Sequence, residues 1–271
     1  MKIVLWLGNE ANQKALANKI HALFPLAGIV TETRKHQPKI NGSKLFEKVF
    51  EKLFLASIGR SWMGMKAFYE KKFPEYPKVN SIDVENINSD DTFNFTKSIN
   101  PDLIFVSGTR LIKDKLLSLK PGAIMNLHTG LSPYIKGGPN CTNWSIATKQ
   151  FHLIGNTVMF IDAGIDSGNI ITTEQTSFTG EENLIDVHIK VMEHAHQLSL
   201  KAIDLFSNGK VEGVKQSDIR EGKTYYTKQW GLKEKIKLVR NMVNFRRFFK
   251  SADAEKLKAT VMTIKISWFI A

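Results

Sequence analysis

Four short apolar runs constrain this chain more than any other feature: KIVLWLG (2–8), LAGIVTET (26–33), DLIFVSG (102–108) and GAIMNLH (122–128). Each has strand length and stops at a glycine or a polar residue. Between the first two lies ANQKALANKIHALF, with Ala15, Leu16, Ile20, Leu23 and Phe24 at helical spacing. Strand, helix, strand is the unit of a parallel sheet. The pattern continues. A Lys-rich amphipathic helix is expected over 41–73, broken near Gly59 and Gly64, then a strand in SIDVENIN. SDDTFNFTKSIN reads as a helix capped by Ser89 and ended before Pro101. RLIKDKLLSLK and the stretch 143–149 read as helices, and GNTVMFIDAGIDSGNIITTEQTSF as two strands around a polar loop. A long helix follows over ENLIDVHIKVMEHAHQLSLKAIDLFSNG, stopped by Gly209. The expected fold is α/β, a doubly wound, mostly parallel sheet, with a catalytic-size domain over 1–214 and a small C-terminal extension over 215–271. Ligands of such sheets bind at the carboxyl ends of strands. Gly8, Gly108 and the pair Asn126 and His128 should therefore face one crevice.

The length of 271 residues and 42% hydrophobic content suit one large domain plus such an extension. The net charge of +12 would attract polyanions. Lysines and arginines crowd into 35–78 and 228–265, whereas the middle of the chain is nearly balanced, so the excess belongs to flanking surfaces. No apolar run approaches the ~20 residues of a membrane span. The start turns polar after Leu7, too early for a signal peptide, and a cytoplasmic location is expected. The single cysteine, Cys141, excludes an intramolecular disulfide and reads as a packing residue.

The fourth run ends in NLHTGLSPYIKGGPN. An Asn amide can donate to an oxygen that gains charge in a tetrahedral intermediate, and a His can accept or return a proton near neutral pH. Asp162 and Asp166, in the later loop FIDAGIDSG, are the carboxylates available to orient the imidazole. No Ser or Cys nucleophile is indicated, which favours direct transfer of an activated carbon between bound molecules. A turn-capping Asn beside a loop His is the alternative from spacing alone. His188, His194 and His196 share a helix but have no ligand partners at suitable spacing, and no metal is expected.

NLHTGLSPYIKGG resembles the Asn-x-His motif of the formyltransferase family that uses 10-formyltetrahydrofolate, and HLIGNTVMFIDAGIDSGNII resembles its second signature. The resemblance implies catalytic Asn126, His128 and Asp166. It also implies a folate pocket with one wall at Ser107, Gly108, Thr109, Arg110, Leu111 and Ile112, and the other at Asp162, Ala163, Gly164 and Ile165. The co-substrate would be 10-formyltetrahydrofolate, with no metal required. Asn9, Pro133, Tyr134 and Gly137 are the candidates for holding the acceptor. Thr129 and Gly130 depart from the Pro and Ser common in the family, which bears on acceptor or loop shape more than on chemistry.

Within that family the first loop, GNEAN, resembles the phosphate-binding GNGSN of the ribonucleotide enzyme, but Glu10 would repel a phosphate. Too few residues follow Lys215 for the barrel domain of a methionyl-tRNA formyltransferase. A nucleotide-linked amino sugar is therefore the expected acceptor, ahead of aminoacyl-tRNA, and nucleic acid is not the expected partner. A formyl-folate hydrolase and a non-catalytic folate-binding module remain as alternatives. The aromatic YYTKQW (225–230) could stack on a base or sugar, or pack the tail onto the sheet. The Phe-rich stretch around Arg246 and Arg247 makes a homodimer reasonable.

Overall fold

The computed structural model describes residues 1–35, 55–162, 164 and 166–268. The apolar runs become β1 (Ile3–Gly8), β2 (Leu26–Glu32), β4 (Leu103–Ser107) and β5 (Ile124–His128), with a short β3 (Ser81–Val84). The loop-flanking pair becomes β7 (Gly155–Phe160) and β8 (Ile170–Gln175). These seven form one sheet in the order β3-β2-β1-β4-β5-β7-β8. Strands β1 to β5 pair in parallel, whereas β7 runs antiparallel to both β5 and β8. The strand order reverses between β1 and β4, the place where such sheets open a crevice.

Alternation along the strands divides the interior in two. Ile3, Leu5 and Leu7 of β1 face one core, Val4 and Trp6 the other. The first core packs against α1 (Ala11–Leu23), α2 (Ala56–Lys72) and the long α6 (Leu184–Ser207). The second packs against α3 (Asp90–Ile99) and α4 (Asp114–Leu117). Ser89 caps α3 by accepting from the Thr92 N–H, and the buried Trp6 indole donates to Thr96 Oγ1 at 3.1 Å.

Three local expectations need correction. The helix expected over 41–73 is described only from Ala56, residues 36–54 lying outside the described set, and α2 runs unbroken through Gly59 and Gly64. Gly64 is not a breaker: a Cβ there would lie 3.0 Å from Ile185, so the missing side chain lets α2 approach α6. In RLIKDKLLSLK only four residues are helical, because the preceding residues are held extended by tertiary bonds. Asn88 donates to the Leu111 carbonyl at 3.0 Å and accepts from the Lys113 N–H at 2.8 Å. The helix expected at 143–149 is α5 (Cys141–Ala147), begun earlier by Asn140, whose side chain accepts from the Asn143 N–H.

The C-terminal residues are woven into the rest. Val214 bridges to Ile170 and Ile264 to Thr173. Strand β9 (Lys223–Tyr225) pairs in parallel with β6 (Ile135–Gly137) in a separate two-stranded sheet. Helix α7 (Leu232–Phe249), followed by α8 (Asp253–Ala259), places Leu238 and Phe245 in one buried cluster with Ile146, Phe151, Phe178 and Val187. Tyr225 stacks on Trp144 with centroids 4.3 Å apart, and Trp230 meets the same ring edge-on, so most of the aromatic run is packing. Among the described residues no helix is long and apolar enough to cross a membrane.

Candidate active site

Two-residue periodicity sends Asn126 and His128 to the same face of β5, while Met125 and Leu127 enter the core. His128 Nδ1 lies 3.3 Å from Asp166 Oδ2, and both side chains are largely shielded from solvent. The same carboxylate oxygen accepts the Gly137 N–H at 3.0 Å. Asp166 has φ of 48°, a left-handed conformation uncommon outside glycine. It is held there from the C-terminal segment: the Gln216 side chain donates to the Asp166 carbonyl at 2.7 Å and to the Gly168 carbonyl at 3.0 Å. Asp162, the other carboxylate of the loop, instead caps its own turn, accepting from the Gly164 N–H at 3.0 Å and from Ser167 Oγ at 2.6 Å. Of the two aspartates, the structure brings only Asp166 to the imidazole.

The far side of the imidazole is also occupied. Cys141 opens α5 with Sγ 3.5 Å from His128 Nε2 and 3.3 Å from the Gly137 carbonyl. Burial pushes its thiol up, well above the usual range for cysteine. Gly130 makes this contact feasible, since a Cβ at that position would lie 2.3 Å from His128 Nε2 and 2.8 Å from Cys141 Sγ. A second glycine is needed at 108, where φ is 73° and the Gly8 backbone passes so closely that a Cβ on Gly8 would sit 2.6 Å from the Gly108 carbonyl.

Two cavities meet at these side chains. The first, of about 470 Å³, runs between the 108–112 segment and the loop after β7. Val106, Leu111, Ile112, Met159 and Ile161 supply its apolar wall, with Asp162, Gly164 and Thr227 across from them. The second, of about 440 Å³, is bounded by Glu10, Gln13, Trp62, His128, Cys141 and His188. Both include Arg34, Gly108, Thr109, Asn126, Gly137, Pro139 and Asp166, so Asn126 and Asp166 stand at the junction.

Charge at the rim is organised by Glu32, a buried carboxylate at the end of β2. It accepts from Arg34 Nε at 2.9 Å, Arg110 Nη1 at 2.7 Å, and the N–H groups of Arg110 and Ile87 at 3.0 and 2.9 Å. Burial works against its charge, but these donors outweigh that and hold its pKa below the usual carboxylate range. Arg34 also donates to the Gly108 carbonyl at 3.2 Å, which fixes a guanidinium on the wall common to both cavities. Glu10 on the second cavity is paired with Lys66 of α2, so its charge there is offset.

The remaining sequence candidates are scattered. Thr109 lies on both cavities and Arg110, Leu111 and Ile112 on the first, whereas Ser107 is buried and reaches the second. Ala163 and Ile165 lie outside the described residues. Gly137 is at the junction. Asn9 turns away, donating to Thr33 Oγ1 at 2.9 Å, and it lines neither cavity. Tyr134 is buried in the cluster beneath β6, with its hydroxyl accepting from the Met262 N–H at 2.7 Å, and Pro133 lines neither cavity. His188 and His196 are buried in α6, which pushes His188 down to about 4 and His196 well below the ordinary value. Among the described residues no three His, Cys, Asp or Glu side chains are placed to hold a metal ion.

Sequence reasoning missed Glu32, Arg34, Gln216 and the contacts of Cys141 and Gly130. A charged residue closing an otherwise apolar strand was a usable signal for Glu32. Gln216 carries none, because its partner lies 50 residues away.

A sheet reversed between β1 and β4, with Asn126 and Asp166 where two cavities join and His128 on the second, defines an α/β protein with a polar site at the carboxyl ends of its strands. The sequence model of the family described as formyl transferase matches residues 65–203, just over half of the chain, and the chain belongs to that family. It is 32% identical over 133 residues to methionyl-tRNA formyltransferase of Clostridium botulinum, covering 49% of this chain and 41% of that protein. The corresponding enzyme of Fusobacterium nucleatum is 24% identical over 219 residues, covering 80% and 62%. The matches thus span less than two thirds of these relatives' length. Among solved structures, a sugar N-formyltransferase from a Shewanella species superposes with a TM-score of 0.58 at 14% identity, covering 89% of this chain and 88% of that one. The N-formyltransferase of Helicobacter canadensis, in complex with folinic acid and dTDP-3-aminofucose, gives 0.56 at 15% identity, covering 89% and 81%. At such identities the likeness is one of fold.

Proposed function

We propose that this protein transfers the formyl group of 10-formyltetrahydrofolate to the primary amine of a nucleotide-linked amino sugar. The observation that carries the reading is the position of Asn126 and Asp166 at the junction of two cavities, with His128 beside Asp166 on the wall of the second. The first cavity fits a flat, hydrogen-bonding ring system. Its apolar faces come from Leu111, Ile112 and Ile161, and the polar edges lie along the 108–112 backbone and the Asp162 loop. The second would take the acceptor. Arg34 on their common wall suits an anionic group, and pairing with Lys66 removes much of the repulsion that Glu10 would exert on a diphosphate.

The folate supplies an already activated one-carbon unit, and the protein's side chains manage charge and protons around it. The Asn126 amide donates to the formyl oxygen as the neutral amine adds and that oxygen gains charge. His128 takes the amine's proton or stands protonated beside the same oxygen; the carbon–N10 bond then breaks, and N10 leaves with the proton that the amine has given up. Asp166, fixed by Gly137 and Gln216, holds a proton on His128 Nδ1 and so sets the ring's orientation.

The test is turnover with 10-formyltetrahydrofolate against a panel of nucleotide-linked amino sugars, with charged initiator tRNA and an acceptor-free lane beside them. Folate product that depends on an amino sugar supports the reading. The curated relatives act on methionyl-tRNA by name, and the chain is basic. Product only with tRNA, with binding that falls steeply as salt rises, would therefore move the acceptor to that class. Product in the acceptor-free lane would make water the acceptor.

A further inference from the structure

The thiol of Cys141 is a group for which the reaction above has no use, yet it lies against the imidazole that the reaction needs. It presents one hydrogen to two acceptors, His128 Nε2 at 3.5 Å and the Gly137 carbonyl at 3.3 Å. Asp166 lies on the other nitrogen at 3.3 Å, and an ionised carboxylate there requires Nδ1 to be the donor. Two hydrogen-bond arrangements are then consistent. With neutral imidazole, Nδ1–H donates to Asp166 and the thiol donates to the Nε2 lone pair. With imidazolium, Nε2–H donates to sulfur and the thiol hydrogen turns to the Gly137 carbonyl. The two states differ by one proton on Nε2 and by rotation about the Cβ–Sγ bond. No thiol bond is broken.

We propose that Cys141 is a positioning residue for His128, an amphoteric cap whose S–H rotates between Nε2 and the Gly137 carbonyl so that the imidazole gains or loses a proton without moving. Three independent features support it. Burial holds the thiol protonated through the neutral range, so the rotor keeps its hydrogen. Gly130 leaves the nook in which ring and sulfur meet, and any side chain there would occupy it. Gly137 is tied at both ends of the device, its N–H to Asp166 and its carbonyl to the thiol, so the acceptor does not drift. The inference rests on the reading of His128 as the proton-handling group: with Nδ1–H held by Asp166, the nitrogen whose protonation changes is Nε2.

Cys141 is the only cysteine of the chain, so the infrared S–H stretch of the whole protein reports this group alone. The experiment follows that band in the substrate-free protein as pH is lowered through the range in which an imidazole takes up a proton. The expected result is two bands exchanging in parallel with the His128 ring resonances in NMR. A single pH-independent band overturns the proposal. Among the described residues, Glu10, Arg34, Asp166 and His188 are the other titratable groups on that cavity wall. His128→Gln separates their influence: the exchange must vanish in it, and persistence also overturns the proposal. Because no substrate is present, the outcome stands even if the acceptor or the activity has been misassigned. Where turnover is measurable, Cys141→Ala should lower kcat roughly fivefold at unchanged KM, in keeping with one weak hydrogen bond, and Cys141→Ser should recover most of it. Equal losses in both variants would indicate packing alone.

Discussion

At the scale of single residues the site depends on a few atoms held where ordinary chain chemistry would not leave them. Asn126→Ala and His128→Ala are each expected to lower kcat by at least about 100-fold, the cost of losing an oxyanion donor or an acid–base group. Circular dichroism should report an intact fold, because neither side chain enters the hydrophobic clusters. Gly130→Ala tests the geometry without touching the chemistry. The new methyl would need the space of His128 Nε2, and a displacement near 1 Å is enough to cost roughly 100-fold in kcat. A wild-type rate in Gly130→Ala would show that the ring has another productive position. The Asn and His were legible in the sequence because a strand's period of two puts them on one face. The choice between Asp162 and Asp166 was not legible from spacing, since it turns on which carboxylate its own loop consumes. The thiol and Gly130 were hidden for a similar reason: their meeting needs the β5–α5 connection to fold back on itself.

At the scale of elements, the apolar runs and the Ser89 cap translated directly into strands and a helix, and the misreadings have particular causes. Gly64 looked like a break but is a packing contact, and the helix expected after Arg110 yields to Glu32 and Asn88, which bind its first turn elsewhere. The start of α6 offers a test in pH. Glu182, one residue before the Asn183 cap, accepts from the N–H groups of Thr179 and Gly180 and pairs with Lys190. Burial opposes its charge, but these bonds win and bring its pKa down to about 2. A carboxylate lowered by folding stabilises fully above its unfolded value, and that stabilisation disappears as pH falls toward the folded one. Glu182→Gln should therefore cost on the order of 2 kcal/mol at pH 7 in urea unfolding, with the difference from wild type shrinking steadily below about pH 4.5. A difference that is constant with pH would mean that the loss is steric. Gln216→Ala frees the Asp166 carbonyl and should depress kcat more than stability, measured as turnover against thermal midpoint.

At the scale of the whole molecule, the segment after residue 214 was read as an extension because its composition changes there. Composition does not show pairing. β9 lies on β6, and Phe245 is fully buried among Phe151, Phe178 and Phe249. Phe245→Ala should lower stability by about 3–5 kcal/mol with one cooperative transition retained; two separated transitions would show that the tail folds by itself. The clamp on the Asp166 loop also sets an order of events. A chain made from its amino end carries Asn126, His128 and Asp166 well before Gln216 and Lys223–Tyr225 emerge from the ribosome. The nascent protein then carries Asn126 and His128 on their strand while the Asp166 loop still lacks its tie to Gln216, and that clamp closes only when synthesis has passed that point.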